Sequence, residues 1–229
     1  MSVAAIIQAR MTSSRLPGKV LMDLNGRAAL EQMLLRVGRS KRLDEVVVAT
    51  TTNQTDDPIV DLCERMQTRV FRGDEKDVLG RFLGAARDAG ADALVRLTGD
   101  CPMHDATVID LCVDRFLASE CDYLSNVMPR TYPDGLDTEI FTRRALEKTD
   151  QEAQTDYWRE HVTTFIRDPE NPGGFRLEVV VHDKDCAHLR WTLDTAEDLD
   201  RIRRYFSALP DGFSWLDALK IAPEIDQAA

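Results

Sequence analysis

The first half of the chain alternates short apolar runs with longer stretches in which apolar residues recur at helical spacing. Ala4 to Gln8, Glu45 to Thr50, Arg69 to Phe71 and Ala93 to Leu97 are brief and rich in Val, Ile or Leu, the pattern of strands buried on both faces. Between them, Ala28 to Val37, Pro58 to Met66, Val78 to Ala89 and Ala106 to Leu117 place apolar residues on one helical face. Asp57-Pro58 supplies a helix start signal, with Pro inside the first turn. Repeated strand-helix units predict an α/β fold in three layers, a mostly parallel sheet covered on both faces. Ligands of such sheets bind beyond the carboxyl ends of the strands, near a switch in strand order. Two segments then matter most: the loop after the first strand and TGDCP after the fourth.

From about Asp122 the rhythm changes, as Pro129, Pro133 and Gly135 break the chain into short pieces before a polar helical stretch running through Tyr157 to Ile166. PENPGG (Pro169 to Gly174) reads as a loop or hairpin arm, RLEVVVH as a strand and WTLD as a short strand. TAEDLDRIRRYFSAL reads as a helix with Thr195 as its N-cap and Asp198 at the third helical position. Neither an internal repeat nor a low-complexity linker interrupts the sequence. The expectation is one domain over residues 1–229 with a small insertion at 122–174.

The 229 residues, 43% of them hydrophobic, suffice for a real core. A formal net charge of -11 opposes binding to nucleic acid or an anionic membrane, so a phosphate ligand needs a local cationic cluster. Cys63, Cys101, Cys112, Cys121 and Cys186 are odd in number and irregularly spaced, which argues against a disulfide framework or zinc ribbon and for reduced, buried thiols. No apolar stretch approaches a membrane span, and Met1 leads at once into a strand-like run without a basic leader, so a cytoplasmic location is expected.

Against that acidic background, QARMTSSRLPGKVL sets Arg10, Arg15 and Lys19 in one loop. These cations, hydrogen bonds from Ser13 and Ser14, a turn stiffened by Pro17 and a close backbone approach at Gly18 fit a triphosphate, although a solvated basic loop would share the spacing. The loop matches neither G-x-x-x-x-G-K-[ST] nor G-x-G-x-x-G. Asp100 closes a buried strand, where a carboxylate needs a cationic partner. Magnesium, which takes one or two carboxylates plus phosphate and water oxygens, is such a partner, and a turn-capping role is the alternative. In YPDGLDTE, Tyr132, Asp134, Asp137 and Glu139 crowd around the bend at Gly135, which fits a hydroxyl-rich sugar or simply a polar turn. Arg159 and His161 are candidates for a carboxylate or phosphate on that acceptor, although a lone helical His is more often simply satisfied or solvated. HDKDCAH is set aside as a metal site because its spacing is weak evidence, and Trp158, Trp191 and Trp215 read as core or subunit contacts.

IIQARMTSSRLPGKVL resembles the opening of the cytidylyltransferases that make CMP-activated sugars, the family of CMP-Kdo synthetase and acylneuraminate cytidylyltransferase, with the pattern A-R-x-x-S-x-R-L-P-x-K. GDEKDVLGRF, VRLTGDCPM, YPDGLDTEIF, REHVT and WTLDTAEDL are similar to blocks of its spore coat polysaccharide biosynthesis protein F branch, in the same order. The resemblance implies a nucleotide-diphospho-sugar transferase architecture and transfer of CMP from CTP to a sugar acceptor with loss of pyrophosphate. It also implies magnesium on Asp100 and Asp194, nucleotide contacts from Asp77 and Arg81, Thr98 at the end of the base-reading strand, and a homodimer paired through the 122–174 arm. By spacing alone Asp77 and Arg81 equally fit an i, i+4 surface ion pair, and Asp194 a helix N-terminal residue favoured by the dipole. Cys101 stands where CMP-Kdo synthetases carry an acidic residue, which leaves the acceptor open. A sugar-phosphate, polyol phosphate or phosphonate acceptor, or a silent nucleotide-binding module, are the alternatives. A retaining glycosyltransferase is disfavoured because Pro102 breaks any Asp-x-Asp motif at Asp100.

Overall fold

A computed structural model describes residues 1–170 and 172–226. Strand β1 (Val3–Gln8) is followed by the two-stranded ribbon β2 (Asp23–Leu24) and β3 (Arg27–Ala28), then α1 (Ala29–Val37), β4 (Glu45–Thr51), α2 (Asp57–Arg65) and β5 (Arg69–Gly73). The chain continues through α3 (Val78–Ala89), β6 (Ala93–Thr98), α4 (Ala106–Leu117), β7 (Tyr123–Ser125), β8 (Glu139–Thr142) and α5 (Arg143–Glu152). It ends in α6 (Asp156–Glu160), β9 (Leu177–Val179), α7 (Ala196–Ala208) and α8 (Trp215–Asp226). Alternation along β1 sends Val3, Ala5 and Ile7 into one core and Ala4 and Ile6 into another on the opposite face. The first core is closed by apolar residues of α1, α2, α4, α7 and α8, the second by α3 and α5, which gives the three layers.

The seven-stranded sheet has the order β5-β4-β1-β6-β8-β7-β9. β1 lies between β4 and β6 and is parallel to both, so the chain builds outward through β4 and β5 before returning to place β6 on the other side. The order therefore switches between β1 and β6, and the loops leaving these two strands carry the cations and TGDCP. Among the described strands of this sheet, β8 alone runs against its neighbours.

The later half departs from its sequence pattern. Residues 122–174 supply β7 and β8 to the main sheet, so this segment is built into the architecture. The helix expected through Ile166 stops at Glu160, and Val162 takes a φ of 48° while Phe165 and Ile166 pack into the core. WTLD forms no strand: Trp191 N–H donates to Asp134 O at 2.6 Å and Leu193 N–H to Asp100 O at 2.7 Å, so its extended backbone is laced to two loops. RLEVVVH pairs with the sheet edge only over Leu177–Val179. Of PENPGG, Asn171 lies outside the described residues. Thr195 and Asp198 do form the reciprocal capping box at the start of α7. All five cysteines are buried and free, and no helix among the described residues is long and apolar enough to cross a membrane.

Gly135 joins the two halves of this arrangement. Its φ is +115°, and an added Cβ would lie 2.8 Å from the Trp191 carbonyl carbon. Gly135→Ala is expected to lower stability by about 2–4 kcal/mol, read as a fall in the urea midpoint at unchanged slope.

Candidate active site

The cation loop is shaped by the acidic residues around it. Asp56, 1% exposed, accepts from Met11 N at 2.8 Å and from the hydroxyls of Thr50 at 3.0 Å and Thr51 at 2.6 Å. Glu75 accepts from Thr12 Oγ1 at 2.7 Å, Asn53 Nδ2 at 2.7 Å and the Arg10 guanidinium at 3.4 Å. Gly18, with a φ of 74°, donates back to Met11 O at 2.9 Å and closes the loop into the short 3-10 turn Lys19–Leu21.

At the loop's end the Lys19 ammonium reaches both expected metal carboxylates, Asp100 Oδ2 at 2.9 Å and Asp194 Oδ1 at 2.8 Å. Arg15 also meets Asp194 Oδ1, at 2.9 Å, and Arg190 meets Oδ2 at 2.6 Å. Burial pulls the Lys19 ammonium down, but the charges of Asp100 and Asp194 and their hydrogen bonds outweigh it and hold the group above its usual value. Burial likewise pushes the Asp100 carboxyl up, while the Lys19 charge and hydrogen bonds from Thr98 and Lys19 keep it below the usual carboxylate range. Two hard carboxylates sharing one cation suit magnesium. No group of three or more His, Cys, Asp and Glu side chains converges among the described residues, so ligand and water oxygens would complete the coordination, as this ion prefers.

Arg10, Ser14, Arg15, Lys19, Thr98, Asp100 and Asp194 line one cavity of about 250 Å³ at the switch between β1 and β6. Arg10 also lines a cavity of about 200 Å³ with Arg81, Arg96 and His161, and another of about 750 Å³ with Asp77 and Arg159. Arg81 is 4% exposed and donates to the carbonyls of Asp74 and Glu75, fastening the loop before α3. Asp77 caps α3 through Gly80 N at 3.0 Å and accepts both arms of Arg159 at 2.9 and 2.8 Å, so these two candidates engage each other. His161 is exposed beside Tyr157, with ring centroids 4.6 Å apart.

The expected acceptor residues divide. Asp134 and Asp137 stand at the rim, where Arg190 links Asp134 to Asp194 and Arg130 spans Asp134 and Asp137. Burial, and then the charge of Asp137, raise the Asp134 carboxyl above its usual value. Tyr132 and Glu139 lie outside the cleft. Tyr132 is 3% exposed and packs on Trp215 and His182 at centroid distances of 5.6 and 5.3 Å, a large ring filling core space. Glu139, 4% exposed, accepts from Tyr123 Oη at 2.6 Å, Thr163 Oγ1 at 2.7 Å and Arg96, which leaves its carboxylate saturated by the scaffold. It touches the cleft only through Arg96.

Sequence reasoning passed over Arg130, Arg190, Asp56 and Glu75. Arg130 and Arg190 each stand four residues before a carboxylate they contact, Asp134 and Asp194, a spacing that was readable. Nothing local marks Glu75, or the hold of Asp56 on Met11 N, because those partners are set by the loop's path.

The family model for cytidylyltransferases matches residues 4–208. An uncharacterised protein of Methanocaldococcus jannaschii is 42% identical over 86% of this chain and 80% of its own length. Spore coat polysaccharide biosynthesis protein SpsF of Bacillus subtilis is 33% identical over 88% of this chain and 85% of its own. The solved structure of a cytidylyltransferase from Leptospira borgpetersenii superposes with a TM-score of 0.93 at 38% identity, covering 98% of this chain and 96% of that one.

The Lys19 contacts carry a pH signature. Asp100, depressed in the fold, contributes stability that is present above its unfolded pKa and lost as pH falls through its folded one. Lys19, raised in the fold, contributes stability lost only as pH rises through its folded value. The stability difference between wild type and Asp100→Asn is therefore expected to stay level from about pH 5 to 9 and to close below 3.8. That between wild type and Lys19→Met should persist to above 10.5. Urea unfolding across pH measures both.

Proposed function

The chain belongs to the cytidylyltransferase family, and from that premise we propose that it transfers CMP from CTP to a sugar acceptor, with magnesium, releasing pyrophosphate. The observation that carries this reading is the meeting of Asp100 and Asp194, distant in sequence, on a lysine of the loop behind β1. A basic loop alone would bind many anions. A basic loop closed on two carboxylates at a sheet's switch point is what a metal-bound triphosphate needs.

In this reading Arg10, Arg15 and Lys19 take the β- and γ-phosphates and the charge that develops on the leaving pyrophosphate. Ser14 and the backbone at Gly18 hold the triphosphate in line, and Thr98 with the Arg81 side faces the nucleoside. An acceptor oxygen forms a bond to the α-phosphorus as the bond to the bridging oxygen of pyrophosphate breaks, and the acceptor's proton leaves to solvent or base. Magnesium on Asp100 and Asp194 would supply charge neutralisation at the phosphates. The protein's own contribution is position and fixed charge. The acceptor enters from the rim of Asp134, Asp137, Arg130 and Arg190, where carboxylates and guanidinium groups suit the hydroxyls and acid group of a modified sugar. The name of the Bacillus subtilis relative, a spore coat polysaccharide biosynthesis protein, supports a role for such a product in surface polysaccharide synthesis.

Pyrophosphate release is expected with CTP, magnesium and an acidic sugar, and to depend on all three. Lys19→Ala and Asp100→Asn should each lower kcat by about 100-fold or more. Equal turnover of all four nucleotides would overturn the cytidine preference, and turnover with sugar 1-phosphates in place of acidic sugars would reassign the acceptor.

A further inference from the structure

Lys19 is the most enclosed of the three loop cations, its side chain 11% exposed against 42% for Arg10 and 61% for Arg15. Its ammonium already sits where the two carboxylates converge, 2.9 Å from Asp100 Oδ2 and 2.8 Å from Asp194 Oδ1. Arg15 and Arg190 add donors to the two oxygens of Asp194, so every oxygen of that carboxylate has a cation upon it. Magnesium would bind the same oxygens at about 2.1 Å. An ammonium and a divalent ion within a few ångströms in a partly desolvated cleft repel strongly, so the two occupy the pair in alternation.

We propose that Lys19 is the exchangeable counter-cation of the Asp100–Asp194 pair, so that the divalent ion and the triphosphate bind as one unit and the pair does not take the metal while Lys19 holds it. This rests on the reading of the cleft as a metal-triphosphate site. Triphosphate oxygens draw Lys19 and Arg15 off the carboxylates, and the metal neutralises the oxygens they leave. Lysine suits the exchange because its compact charge rides on a flexible stem, and Arg15, largely exposed, moves without unburying anything. The coupling is reciprocal: whatever the triphosphate gives to metal affinity, the metal returns.

Manganese is the probe, titrated by EPR against nucleotide-free protein. Wild type and Lys19→Arg, which keeps the charge, are expected to bind it weakly. Lys19→Met should bind it at least about tenfold more tightly, with the gain lost again in Lys19→Met/Asp194→Asn. No gain in folded Lys19→Met, checked by circular dichroism, overturns the proposal. Should that variant not fold, the wild-type Lys19 ammonium 15N signal decides: it is expected to persist with magnesium alone and to shift with magnesium and CTP together. Loss of that signal with magnesium alone overturns the proposal. A gain in Lys19→Met, beside a wild type that binds no CTP even with magnesium, would support the exchange while counting against the CTP reading above.

Discussion

The ammonium of Lys19 against the carboxylates of Asp100 and Asp194 is the contact on which the cleft depends. Desolvating such charges costs several kcal/mol per ion, and their mutual attraction offsets that only where geometry and further hydrogen bonds are good. Both conditions are met by backbone as well as side chains. Leu193 N–H donates to Asp100 O at 2.7 Å, tying the two carboxylate-bearing segments together beside their shared cation. Asp194 N–H donates in turn to Asp198 Oδ2 at 3.0 Å, which anchors it to the start of α7. The contact gives position more than stability: it fixes where three distant segments meet.

The same logic explains how a chain of net charge -11 keeps an ordered cluster of cations at its cleft. Its carboxylates hold the cationic loop in shape, with Asp56 on Met11 N, Glu75 on Thr12 and Arg10, and Asp100 with Asp194 on Lys19. Each of these cations is held in place by an acid of the fold. Preorganised charge of this kind needs no rearrangement of solvent when a reaction develops new charge nearby.

Burial separates residues that look alike in sequence. Asp134, Asp137 and Glu139 lie within six residues, yet the first two stand at the rim on Arg130 and Arg190 while Glu139 points into the core. Strand β8 begins at Glu139, and its antiparallel pairing with β6 sets that carboxylate beside Arg96, Tyr123 and Thr163. Glu139 thereby positions Arg96, which lines a cavity next to the cation loop. Tyr132 is likewise drawn inward by Trp215 and His182.

By itself the sequence determined the βα units of the first half, the capping box at Thr195 and the loop of Arg10, Arg15 and Lys19, because periodicity, caps and turn residues act over a few positions. The resemblance of separated blocks also named the family, which the match over residues 4–208 shows. Only the tertiary structure decided that WTLD is a laced connection, that the helix after Tyr157 ends at Glu160, and that residues 122–174 join the main sheet. Those outcomes rest on hydrogen bonds and packing between segments far apart in the chain, such as Trp191 to Asp134 and Thr163 to Glu139, which no local pattern encodes. For the same reason Glu75 meets Thr12, and Asp56 meets Met11 N, only when the fold brings these distant segments together.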